Sequence, residues 1–124
     1  MRVRGDFSSS HQLRHYEGKC ENLHGHNFAV EVEVAGRTLQ EPVGILLDFK
    51  ELKRLLKIVT QELDHKHLND LDFFAERNPS SEHLARHIYT RMKELLTEFP
   101  VWLVEVMVAE KDGSRAYYSE EAEA

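Results

Sequence analysis

The sharpest pattern in the chain is the alternation Phe28-Ala29-Val30-Glu31-Val32-Glu33-Val34, with Phe28, Val30, Val32 and Val34 on one side and Glu31 and Glu33 on the other. Successive strand residues face opposite ways, so this segment predicts a half-buried antiparallel strand. Residues 2–14 give an earlier strand with a weaker pattern. Later, Trp102, Val104, Val106 and Val108 alternate with Leu103, Glu105, Met107 and Ala109, which predicts a third. Lys111-Asp112-Gly113-Ser114 then reads as a hairpin turn, because Asp-Gly tolerates the positive φ of a tight hairpin. A short fourth strand follows over Arg115 to Ser119.

Between the second and third strands the period changes. Phe49, Leu52, Leu55, Leu56, Val59 and Leu63 recur at helical spacing. Asp48 is placed to cap this helix, with Glu51 reaching back to close a capping box. Asn78-Pro79-Ser80-Ser81 starts a second helix whose stripe is Leu84, Ile88, Met92, Leu95 and Leu96, and Pro100 ends it. Ala35-Gly36-Arg37 and Glu41-Pro42-Val43-Gly44 form the loop before the first helix. The order ββααββ predicts an α+β fold, a four-stranded antiparallel sheet with two helices on one face. Its open edges invite edge-to-edge pairing with further copies. One domain is expected over residues 1–119, with 120–124 as an acidic flexible tail.

Composition narrows the function classes. A chain of 124 residues forms one domain that buries roughly two thirds of its unfolded surface. Its 22 acidic against 16 basic side chains argue against general nucleic-acid binding, which needs a basic face. The single cysteine, Cys20, has no intrachain partner and suits a reducing cytoplasm. The polar start Met1-Arg2-Val3-Arg4-Gly5-Asp6 lacks the apolar run of a signal peptide. The apolar stretch from Val101 to Ala109 is interrupted by Glu105 and far too short to span a bilayer. A soluble, cytoplasmic protein without membrane or nucleic-acid partners is expected.

The chemistry concentrates in Cys20-Glu21-Asn22-Leu23-His24-Gly25-His26, which runs into the second strand. Residues i and i+2 of a strand share a face, so His24 and His26 can aim both imidazoles at one point, with Gly25 leaving the approach clear. With a thiol upstream, the pair describes a zinc site with a base beside it. A catalytic zinc takes three protein ligands and keeps a position open. The neighbouring first strand offers His11 and His15, and spacing alone does not choose between them. His83 and His87 share a helix face but lack the Glu of a hydrolytic His-Glu-x-x-His, so they read as a solvated helix surface. Asp64 beside His65 is able to tune a proton-transferring imidazole, or else the segment is a polar helix end.

Taken together, Phe7-Ser8-Ser9-Ser10-His11, Cys20-x-x-x-His24-Gly25-His26-Asn27, Leu63-Asp64-His65-Lys66-His67-Leu68-Asn69, Asn78-Pro79-Ser80-Ser81-Glu82 and Glu110 form an ordered set. In these motifs, over about residues 5–118, the chain resembles the 6-pyruvoyl-tetrahydropterin synthase superfamily. More closely it resembles the bacterial 6-carboxy-tetrahydropterin synthases of the queuosine pathway. The resemblance implies the tunnelling fold, with subunits paired edge to edge into barrels and trimers stacked as hexamers. It implies zinc held by His11, His24 and His26, Cys20 as catalytic base, Asp64 and His65 as a proton relay, and Glu110 as the carboxylate that anchors the pterin ring. Ser80, Ser81 and Glu82 then fall on the substrate side, with Ser80 and His83 standing where the motif usually has Thr and Asn. The three residues between Cys20 and His24 match the bacterial branch; mammalian-type members have five.

The reaction so implied is that of a zinc lyase, converting 7,8-dihydroneopterin triphosphate to 6-carboxy-tetrahydropterin with loss of acetaldehyde and triphosphate. Glu21 introduces an alternative, because a further branch carries a Glu three residues before the first motif His, lacks the Cys, and makes 6-hydroxymethyl-dihydropterin. This chain has both Cys20 and Glu21. A 6-pyruvoyl product is a further enzymatic alternative. The non-enzymatic one is a structural site closed by Cys20, His11, His24 and His26. Lys19, Lys66 and Arg115 are equal candidates for holding the triphosphate.

Overall fold

Each half of the sequence supplies one pair of strands, and the helices fill the interval between them. In a computed structural model, which describes residues 1–16 and 22–121, the strands are β1 (Arg2–His11), β2 (His24–Ala35), β3 (Trp102–Lys111) and β4 (Ser114–Tyr118), and the helices are α1 (Phe49–Leu63) and α2 (Ser81–Leu95). The sheet order is β1-β2-β3-β4, with all neighbours antiparallel. α1 packs on β1, and α2 packs on β3 and β4. The expected α+β architecture is therefore observed.

The core lies between sheet and helices. Phe28, Val30 and Val32 meet Leu52, Leu56, Val59 and Leu63 from α1 and Leu84, Ile88 and Met92 from α2, all buried. Full burial of one such side chain contributes about 1.5–3 kcal/mol. Both helices start where the sequence places them. Asp48 accepts from the Lys50 N–H at 2.8 Å, and the Ser80 hydroxyl accepts from the His83 N–H at 3.1 Å. Each satisfies a backbone donor that the helix itself leaves without a partner. The capping box does not form, because Glu51 turns to its neighbour Arg54 at 2.6 Å. Phe49 also departs from expectation. It sits in the first turn and is 58% exposed, and the buried stripe begins at Leu52.

The third strand is not one uninterrupted alternation. Its pairing passes from Glu33↔Glu105 to Val34↔Leu103, so Val104 is an extra residue. Such a bulge reverses the phase of side chains on either side of it. Leu103 is buried while Trp102 is 45% exposed, yet Val106 and Val108 are buried beyond it. β4 begins and ends one residue earlier than predicted.

Short 3₁₀ turns at Leu68–Asp70 and Asp72–Phe74, which the periodicity does not predict, bury Leu68 and Phe74 against the core. The segment before them covers part of the β1 edge. His65 N–H donates to Ser8 O, Ser10 N–H donates to Lys66 O, and Ser10 pairs with His67 in parallel. Glu120, assigned to the loose tail, is held by Tyr118 Oη at 2.9 Å and Lys93 Nζ at 3.3 Å. No described helix is long and apolar enough to cross a membrane.

Candidate metal centre and adjoining pocket

The metal-facing cluster follows from the β1/β2 register. His11 pairs with His24, Ser9 with His26, and Phe7 with Phe28. His24 and His26 share a face of β2 through the two-residue period, and the register sets His11 opposite that pair. One nitrogen from each ring lies within 4.8 Å of the others, close enough for the three to hold one metal ion. Phe28 floors the cluster, with its ring 5.4 Å from His11 and 5.5 Å from His26, and stacks on Phe7. His15 is not part of it: it sits in an exposed turn beyond β1 with φ at 61°. Nor does Gly25 clear the approach, since a Cβ there would meet only the Ser9 carbonyl at an ordinary 3.8 Å. Strand alternation alone directs position 25 to the opposite face.

The hydrogen bonds behind these rings select the tautomer a metal needs. His11 Nδ1 is 2.7 Å from Pro79 O, and His24 Nδ1 is 2.9 Å from Asn22 O. A carbonyl only accepts, so each Nδ1 carries the proton and each Nε2 keeps its lone pair. His11 is 1% exposed, and its Nε2 has no hydrogen-bond partner among the described residues. A buried nitrogen left in this state is costly unless something fills the space in front of it, and a cation does so. The three-histidine donor set suits zinc with a fourth position left over.

Glu110 comes from the end of β3, two strands away from β1, and faces the same cluster. Its oxygens lie 3.6 Å from His11 Nε2 and 3.8 Å from His26 Nε2, and 3.5 Å from the Ser81 hydroxyl. Ser80, Ser81, Glu82 and Glu110 line one pocket of about 310 Å³, together with Arg115. The start of α2 supplies the first three, so the Pro79 carbonyl that orients His11 and the pocket wall belong to one turn of backbone.

Asn69 and Asn78 belong to the motifs, yet nothing in the sequence assigned them a role. Asn69 makes two 2.8 Å bonds to the Gln12 backbone, and Asn78 two 2.7 Å bonds to the Arg14 backbone. Each amide imitates a neighbouring strand and fixes the backbone leaving His11, including Leu13 on the pocket wall. Their position directly after the His67-Leu68 and Arg77 steps was the only signal, and it does not name a partner.

Asp64 and His65 are paired at 2.9 Å, and His65 has φ at 55°. His65, Lys66 and His67 border a second opening of about 500 Å³, whose wall also includes Ser8, Ser10, Asn27 and His26 of the histidine cluster. A bond from the Ser8 N–H holds the Asp64 carboxyl below its ordinary range, with His65 adding to the effect. His83 and His87 are not a solvated surface. His83 Nδ1 bonds Asn78 O at 2.7 Å, while His87 packs 4.5 Å from the Phe73 ring and burial lowers its pKa. Cys20, Glu21 and Lys19 lie outside the described residues.

The chain resembles known proteins in both sequence and fold. Residues 1–121 match the family described as 6-pyruvoyl tetrahydropterin synthase. The chain is 40% identical over 92 residues to the 6-carboxy-5,6,7,8-tetrahydropterin synthase of Synechocystis, covering 71% of this chain and 70% of that one. It is 36% identical over 93 residues to the dihydroneopterin monophosphate aldolase of Pyrococcus furiosus, covering 75% and 74%. The structure of Caenorhabditis elegans 6-pyruvoyl tetrahydropterin synthase matches with a TM-score of 0.85 and 26% identity, covering 98% of this chain and 94% of that one. Its sheet, its helices, its clustered histidines and this family match lead to one conclusion: the chain belongs to the 6-pyruvoyl tetrahydropterin synthase family and is a pterin synthase of the tunnelling fold.

Proposed function

We propose that the protein is a zinc-dependent lyase that converts 7,8-dihydroneopterin triphosphate and water to 6-carboxy-5,6,7,8-tetrahydropterin, acetaldehyde and triphosphate, as a cytoplasmic step of queuosine biosynthesis. The observation that carries this reading is the meeting of a three-histidine cluster with Glu110 on the rim of a polar pocket. The 6-carboxy-tetrahydropterin synthase of Synechocystis, at 40% identity, supports the choice of product.

In this reading His11, His24 and His26 hold zinc, which when bound supplies Lewis acidity to the substrate side chain. Glu110 accepts two parallel N–H bonds from the amidine-like edge of the pterin, a charge-assisted pairing that fixes the ring. Ser80, Ser81 and Glu82 border the ring. Cys20 is the general base of this reading, since a thiolate near a cation has a lowered pKa. Asp64 holds the Nδ1 proton of His65, leaving Nε2 to return a proton elsewhere on the substrate. A carbon–carbon bond of the substrate side chain then breaks in a retro-aldol-type step, in which one water supplies the second oxygen of the carboxylate and the departing two-carbon fragment leaves as acetaldehyde. Arg115 at the pocket, Lys66 at the second opening and Lys19 are the candidate triphosphate contacts. Edge pairing of β1 and β4 between copies builds a homo-oligomer, a hexamer of two stacked trimers.

Glu21 supports a second reading. It stands three residues before His24, and the P. furiosus relative is a dihydroneopterin monophosphate aldolase. Under this reading some or all of the product is 6-hydroxymethyl-7,8-dihydropterin.

Incubation of the zinc-loaded protein with 7,8-dihydroneopterin triphosphate, followed by separation of the pterins, tests both. 6-Carboxy-tetrahydropterin as main product with matching acetaldehyde supports the first. Hydroxymethyl-dihydropterin alone supports the second, 6-pyruvoyl-tetrahydropterin overturns both, and an unchanged substrate removes the enzymatic reading.

A further inference from the structure

We propose that Glu110 closes the metal site when no substrate is present, serving as a fourth donor beside His11, His24 and His26, and that pterin binding draws it away. This inference rests on the metal-binding part of the function proposed above and adds a resting state to it.

The distances carry the argument. At 3.6 and 3.8 Å the Glu110 oxygens are too far from His11 Nε2 and His26 Nε2 for hydrogen bonds. Two ligands on a tetrahedral zinc with bonds near 2.0–2.1 Å are separated by roughly 3.3–3.4 Å. The Glu110 carboxylate therefore stands near the ligand-to-ligand spacing from two rings at once, one oxygen toward each. The histidine nitrogens are themselves within 4.8 Å of one another, and the Glu110 carboxylate faces two of the three. His11 Nε2, buried and without a hydrogen-bond partner among the described residues, is one of those two.

The other surroundings of Glu110 permit both positions. Its side chain keeps 30% of its exposure on the pocket side, and besides the rings it meets the Ser81 hydroxyl at a long 3.5 Å. The carboxylate thus lies between metal and pocket. An incoming pterin offers two N–H donors in parallel, and the carboxylate that turns to accept them leaves the metal position open for the substrate side chain. Binding of the ring and opening of the metal become one event. The resting metal is shielded from competing anions, and a pterin lacking the amidine-like edge does not open it.

The test uses the purified full-length protein loaded with Co²⁺ or Zn²⁺ and no substrate. Glu110→Gln keeps the shape but is a weak metal donor, and Glu110→Asp keeps the charge but withdraws the carboxylate by one methylene. In chelator competition both variants should hold metal about 10- to 100-fold less tightly than wild type. Their Co²⁺ visible spectra should differ from wild type before any ligand is added, and neopterin should shift the wild-type spectrum. Unchanged affinity and spectrum in both variants overturn the inference while leaving the zinc reading and the pterin anchor standing. A wild type that takes up no metal overturns the inference together with the zinc reading. Altered metal binding in variants of a protein whose wild type makes no pterin product supports the inference and removes the reaction.

Discussion

The Ser8 N–H donates to Asp64 Oδ1 at 2.8 Å, tying β1 to the residue that ends α1. The second carboxylate oxygen, Oδ2, lies 2.9 Å from His65 Nδ1. One carboxylate therefore bridges strand and imidazole, and the amide bond, more than the histidine, keeps it ionised. The His65 side chain remains 82% exposed, so Nε2 can exchange a proton while Nδ1 is occupied.

Asp64→Asn should keep full metal content and lose about 10²–10⁴-fold in turnover, the usual cost of disabling a general acid–base. The same change alters acid stability in a defined direction. The folded carboxyl titrates below its ordinary 3.8, so it stabilises the fold above that value and the contribution is lost as pH falls through the lowered one. The variant should lack this acid limb in melting curves below pH ~4. Unchanged turnover would remove the pair from the mechanism.

Removing any one of His11, His24 and His26 should abolish stoichiometric zinc, whereas His15→Ala, His83→Ala and His87→Ala should retain it. The first three have nitrogens within 4.8 Å of one another, and His83 is committed to the Asn78 carbonyl. Elemental analysis of the purified single variants decides this, and normal zinc in His24→Ala would sink the assignment.

Cys20→Ala should keep its zinc and lose turnover, if the thiol is a base and not a ligand. Loss of metal instead would favour the structural four-ligand site. Two bases remove different protons from one substrate. Cys20→Ala should therefore suppress the carboxy product more than any hydroxymethyl product, and Glu21→Ala should do the reverse. A product ratio that Glu21→Ala does not move would leave Glu21 with no part in the chemistry.

His87 should make the fold sensitive to mild acid. It packs against Phe73 at 4.5 Å and Phe74 at 5.9 Å, and desolvation outweighs the attraction of Glu62 and Glu94, with Arg91 opposing protonation too. Its folded pKa is thus below the ordinary 6.5. Between those two values the unfolded state binds more protons, so stability falls as pH drops through this window and is unaffected well above it. Denaturant unfolding of His87→Gln between pH 8 and 5 should show a shallower decline than wild type. Parallel slopes for the two proteins would count against the burial argument.

Phe28→Ala should cost about 3–5 kcal/mol, the range for emptying an aromatic core position. It should also weaken zinc binding, since Phe28 touches the His11 and His26 rings. Phe28→Leu, which refills most of the volume, should recover stability first. Comparing melting temperature with chelator competition separates the two effects.

Much of the architecture was legible in the order of residues, because it depends on neighbours a few positions apart. The alternation from Phe28 to Val34, the Asp48 and Ser80 caps, the leucine stripe and the shared face of His24 and His26 all follow from strand and helix periods. The family motifs further implied His11 and Glu110 as site residues. What the periods could not supply was register and approach. The choice of His11 over His15 as neighbour to the pair depends on where β1 slides against β2. The bulge at Val104 breaks an alternation that looked unbroken in sequence, because pairing with β2 and not local pattern decides which residue is extra. The same holds for residues 65–67 lying along β1, for Asp64 reaching Ser8, and for His87 entering an aromatic cluster where its spacing alone suggested solvent. Glu110 reads as a bare charge at a strand end until the sheet folds it against His11 and His26. Periodicity acts through bonds and is written in the order of residues; contacts between distant segments act through space and exist only once the sheet and helices have packed.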